Sequence, residues 1–147
     1  MLEPDCVSGV VLPGRADPGP GEVKERMCIY MATMQKKSFT APEETRSHPK
    51  MKAEVVTVGG TEVLKVTFEP GWKWDEHLKP STGTASCQVS HLNYVLSGRM
   101  HLKMDDGTEF DVGPGDVVSL PAGHTAWVVG GEPVVWLDFQ GGKTFAK

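Results

Sequence analysis

The sequence predicts an all-β fold, a sandwich or barrel of short strands, with an unstructured N-terminal tail. Two observations carry the fold class. From residue 53 onward, short β-branched runs are separated by Gly- and Pro-rich turns about every 8–12 residues, and no stretch keeps a helical period. The 147 residues suffice for one domain.

The elements follow in order. Residues 1–35, including "VLPGRADPGPGEVKER", are rich in Pro and Gly and lack periodicity, which reads as a disordered tail; Met27, Met31 and Met34 offer later start positions. Residues 36–50, "KKSFTAPEETRSHPK", read as an extended polar lead-in to a single domain spanning 36–147, with Phe39 as its anchor. The core of that domain is expected over about 53–140. "AEVVTV", "GG" and "TEVLKVTF" form a hairpin signal, two β-branched runs about a two-residue turn. "RMHLKM", "DDG" and "TEFDV" give a second hairpin. "GPGDVVSLPAG" and "TAWVVGGEPVVWLDF" complete the set.

Side chains alternate along a strand, so residues two apart share a face. In "RMHLKM", Met100, Leu102 and Met104 share the core face and His101 points outward as a surface histidine. In "SCQVSHLNYVL", read as one long strand, Cys87, Val89, His91, Asn93 and Val95 share one face, and Leu92 and Tyr94 lie on the other. Either Cys87 and His91 face solvent, or they look into a barrel whose interior is a site. The alternation leaves both open.

At these residues the sequence resembles the cupins, small β-barrels of the jelly-roll type with metal ligands inside the barrel. Gly71 is followed by five residues and then His77, within "GWKWDEHLKP". His91 is followed by six residues and Gly98, within "YVLSG". Gly115 is followed by "DVVSL" and Pro121-Ala-Gly123. "PGD" and "DDGTEF" are also similar to cupin phrases. The resemblance covers about residues 53–140 and implies a single-domain cupin. His77 matches the first ligand slot, Lys79 stands in the second histidine slot, and His91 stands in the glutamate slot. The last histidine slot falls on Ala126, and His124 comes two residues earlier.

Three histidines on separate elements are a reasonable metal set for Zn, Fe, Ni or Mn, with open positions left for water or substrate. The expected ligands are His77, His91 and His124. Cys87 is a fourth ligand, a substrate-facing thiol or core packing; a Cys ligand favours zinc or another soft metal. The bland alternative for His77 is a loop histidine capping local backbone. Trp74 and Trp127 are expected as pocket walls, with Asn93 against substrate. Lys79 pairs with a substrate carboxylate or is a rim lysine with its head in water. No catalytic residue is identified; Asp75, Glu76 and Tyr94 are only nearby candidates for a general base.

The expected function is that of a metal-binding cupin holding one divalent transition metal ion, an enzyme of oxygenase, isomerase or lyase type acting on a small molecule. The alternative is a non-catalytic cupin that binds or senses a metal or small ligand. Net charge is −4, so no basic patch for nucleic acid is expected, and an anionic membrane surface is disfavoured. Cys6, Cys28 and Cys87 are too few and too scattered for a disulfide framework. With no signal-peptide pattern, a cytoplasmic setting is expected. A homodimer is expected through a sheet edge or face.

Overall fold

The structure is a computed structural model and describes residues 33–147. The expectation of disorder over 1–35 falls almost wholly outside the described residues, as do Cys6 and Cys28.

Nine strands run in chain order: β1 (Glu44–His48), β2 (Met51–Val58), β3 (Thr61–Phe68), β4 (His91–Ser97), β5 (Arg99–Met104), β6 (Glu109–Val112), β7 (Val117–Leu120), β8 (His124–Val129) and β9 (Val134–Asp138). They form a six-stranded sheet ordered β1-β2-β3-β9-β4-β7 and a three-stranded sheet ordered β6-β5-β8. Every named pairing is antiparallel. The β2–β3 hairpin turns on Gly59 and Gly60, both at positive φ, the geometry that a two-residue turn needs to match strand twist.

Alternation fixes which side of each strand is buried. Leu64, Val66 and Phe68 of β3, Val95 of β4, Met100 and Leu102 of β5, Ala126 and Val128 of β8, and Val134 and Trp136 of β9 face one common core. Trp72, Trp74 and Leu78 close it between β3 and β4. Phe68 anchors the aromatic part, with ring centroids 4.4 Å from Trp72 and 4.9 Å from Trp136. Each such side chain contributes about 1.5–3 kcal/mol by leaving water.

One residue, Gly98, separates β4 in the large sheet from β5 in the small one. Its φ is +76°, and a Cβ there would run into the Pro133 carbonyl, so the corner requires glycine. A register shift between Val95 and Ser97 marks the same corner. The glycine of "YVLSG" is therefore where the chain changes sheets.

The structure differs from the strand reading in four places. The lead-in contains a true strand, β1, which pairs with β2 and enlarges the large sheet. "GWKWDEHLKP" is not strand: it forms two helical turns, α1 (Trp74–His77) and α2 (Lys79–Thr82). Pro80 favours this as an early residue of α2, where its missing N–H costs nothing. β4 begins at His91, so Cys87 lies ahead of it on a segment held by an isolated bridge to His124. The ordered chain also continues past 140, through a 3-10 turn at Gly141–Lys143, and Phe145 and Ala146 pack into the core. Among the described residues no helix is long and apolar enough to cross a membrane.

Candidate metal centre

Polar side chains gather at one end of this apolar core. Cys87, His91, Asn93, His124 and Asp138 are all buried. Strand parity explains most of the set. His91 and Asn93 continue the inward face of β4, His124 that of β8, and Asp138 that of β9. β4 and β9 belong to one sheet and β8 to the other, so the cluster lies between the two sheets. Cys87 is brought in by backbone pairing: its N–H donates to the His124 carbonyl at 2.8 Å, and its own carbonyl accepts from Gly123 at 2.7 Å.

The ligating atoms of Cys87, His91 and His124 all lie within 4.8 Å of one another. Each imidazole is tied down at its other nitrogen. His91 Nδ1 donates to Asp138 Oδ2 at 2.5 Å, and His124 Nδ1 donates to the Pro121 carbonyl at 2.6 Å. A carboxylate and a carbonyl can only accept, so both Nδ1 atoms carry hydrogen and both Nε2 atoms are turned to the shared centre. His91 Nε2 lies 3.8 Å from Cys87 Sγ. Asp138 is itself fixed, since its Oδ1 accepts from the backbone N–H of Gln140 and Gly141.

Charge follows from the same contacts. Burial alone would raise the Cys87 thiol, but hydrogen bonds from His124 and His91 outweigh it and bring it down to about 6. Burial would lower His91, yet Asp138 and Cys87 outweigh it and raise the imidazole to about 9. Burial also pushes Asp138 upward, and the His91 contact with the two backbone N–H groups holds it below the usual carboxylate range instead. Without a metal these contacts pair a Cys87 thiolate with a protonated His91; a metal ion would take the place of the His91 Nε2 proton, giving a thiolate and two oriented imidazoles, a donor set suited to a divalent transition metal. The carboxylate behind His91 is the usual support of a metal-binding histidine.

Asn93 is buried on the same strand face as His91. It has 0% exposure, and neither its Oδ1 nor its Nδ2 has a hydrogen-bond partner. A buried amide left so costs about 1–3 kcal/mol per unmet group, a cost that a bound molecule beside His91 would remove.

The remaining candidates from the sequence fall elsewhere. His77 is not brought to the cluster. It sits half-buried at the end of α1, with Nδ1 within 3.0 Å of the Lys73 backbone nitrogen and 3.1 Å of its carbonyl oxygen. Its ring is thus engaged with its own helical turn, the local capping that was the alternative reading. Lys79 lies 3.5 Å from Asp75, a surface pair. Trp74 is buried in the core. Trp127 has the opposite parity to His124 and Ala126, so it faces outward and stacks on His101 at 4.4 Å. His101 also contacts Asp111 at 2.6 Å. Asp75 and Glu76 are exposed and Tyr94 faces outward, so none of the three general-base candidates reaches the centre.

Two contributors were not recognised from the sequence. Asp138 was readable, since an acid continuing the inward row Val134, Trp136 has to be paired. Phe145, whose ring centroid is 4.8 Å from that of His91 at an interplanar angle of 90°, comes from a segment with no strand pattern.

The sequence pattern of the family described as Cupin domain matches residues 64–140, more than half of the chain. The chain is a cupin. Among curated proteins, none matches it by sequence. In structure it is similar to the polyketide cyclase RemF from Streptomyces resistomycificus. That likeness has a TM-score of 0.53 and 19% identity, and covers 74% of this chain and 79% of that one. It is also similar to a single-substitution variant of oxalate decarboxylase from B. subtilis, with a TM-score of 0.50 and 19% identity, over 76% of this chain and 31% of that one. At these identities the likeness carries the fold alone. The two-sheet fold explains why candidate donor groups from β4 and β8 meet.

Proposed function

We propose that this cupin is a metal-dependent enzyme acting on a small molecule, with Cys87, His91 and His124 holding one divalent metal ion. The observation that carries the reading is the convergence of the three donor atoms, each histidine oriented through its Nδ1. The thiolate favours zinc over the other candidates iron, nickel and manganese. When bound, the metal supplies Lewis-acid polarisation of a substrate oxygen. Asp138 fixes the tautomer and direction of His91, the Pro121 carbonyl does the same for His124, and Asn93 offers an amide to the substrate. Three protein ligands leave at least one position for substrate. Non-redox isomerase, lyase or cyclisation chemistry therefore fits better than oxygenation. That fold neighbours include a polyketide cyclase and an oxalate decarboxylase agrees with an enzymatic cupin.

The test is turnover of sugars, β-dicarbonyl compounds and small thiols by protein reconstituted with Zn2+, Fe2+, Ni2+ or Mn2+, with O2 uptake followed in parallel. We expect turnover without O2 consumption, absent from His91→Ala. Tight metal binding with no turnover of any substrate would favour a binding or sensing cupin instead. The same reading includes a homodimer, supported by the apolar outer face of β4.

A further inference from the structure

A cavity of about 280 Å³ opens beside the metal centre. One wall is the end of α2 and the turn after it, with Leu78, Ser81, Thr82 and Thr84. The other is the C-terminal segment from Thr144 onward, and Cys87 lines the inner end. Phe145 both lines this cavity and packs against His91, so its ring borders the passage from the cavity to the ligand set, which the cavity reaches at Cys87.

The C-terminal wall is pinned from outside the cavity. Buried Arg46 donates through its Nη1 to the carbonyls of Gly142 and Phe145, both at 2.7 Å. His48 Nε2 lies 3.0 Å from the Ala146 carbonyl. These contacts hold the backbone that carries the Phe145 side chain.

The hydroxyl groups on the opposite wall are already committed as donors. Ser81 Oγ donates to the Leu78 carbonyl, Thr82 Oγ1 to Lys79 and Thr84 Oγ1 to Ser86. What they have left to offer are oxygen lone pairs, which accept. Gln88 likewise spends its amide N–H groups on Ser86 and keeps an acceptor. Leu78, Val89 and Phe145 supply apolar wall.

We infer that this cavity seats the ligand of the metal centre, and that Phe145 sets the size of what reaches the metal. The ligand class is a small molecule with an apolar body and hydrogen-bond donors for the hydroxyl wall; Lys147 adds a cation at the C-terminal wall. The inference rests on the metal reading above and deepens it.

The experiment uses the full chain loaded with Co2+ and follows its visible spectrum while probes are added. Imidazole, neutral with one N–H donor, should perturb the wild-type spectrum. Thr84→Trp, which fills the cavity from the half-buried bend after α2, should weaken imidazole binding tenfold or more, with its probe-free spectrum recorded as the control for metal uptake. The bulkier 4-phenylimidazole should be excluded by wild type and admitted by both Phe145→Ala and Phe145→Leu; the leucine variant guards against loss of packing in the alanine one. Imidazole and phenylimidazole binding in the Thr84 and Phe145 variants equal to wild type would overturn the inference. Failure of wild type to take up Co2+ appears before any probe is added and refutes the underlying metal reading instead.

Discussion

His91 and His124 differ in what holds their second nitrogen. A neutral backbone carbonyl holds His124, whereas a buried carboxylate holds His91. The carboxylate adds charge as well as direction, making His91 a stronger donor to a cation. Gly141 is part of the same arrangement: a Cβ there would collide with both Asp138 and His91, so only glycine lets the chain pass the pair. Asp138→Asn keeps the shape and an acceptor oxygen but removes the charge. Chelator competition should show its metal affinity reduced about 10–100-fold. Unchanged affinity would mean that Asp138 serves packing alone. Asp138→Ala is a poorer probe, because breaking a buried pair destabilises by about 3–5 kcal/mol and the fold itself is then at risk.

At the scale of elements, strand content and faces were legible because burial on one side forces a period of two. That placed His91 and Asn93 on one face and Leu92 and Tyr94 on the other, as the structure has them. What the period could not give was the helical turn at "GWKWDEHLKP", too short to show a period of its own. It also could not show that Cys87 lies off the strand, since its position is fixed by backbone bonds to residues far along the chain. The outward face of β4 leads to a prediction. Leu92, Tyr94 and Leu96 are exposed, and Tyr94 stands in register with exposed Val117 of β7 and with Leu137 of β9. Such an apolar row on an outer sheet face fits the contact of the proposed homodimer. Two copies meeting there form a closed two-fold pair. Light scattering at micromolar concentration should give twice the chain mass, and Tyr94→Glu with Leu96→Glu should give a monomer. A monomeric wild type would remove this face as the contact.

For the whole molecule, the two-sheet fold brings His91, His124 and Asp138 together from strands of both sheets. The apolar remainder offsets the cost of burying a cysteine, two histidines, an aspartate and an unpaired asparagine. Family spacings located the barrel and its sheet-changing glycine, but they pointed to His77, which a local turn claims, and passed over Asp138. X-ray absorption at the metal edge tests the centre most directly, on protein purified without an affinity tag and reconstituted with zinc. One zinc per chain with one sulfur and two imidazole nitrogens in its shell is the predicted result. A stoichiometry near zero after reconstitution, or a shell without sulfur, would contradict the assignment of Cys87, His91 and His124.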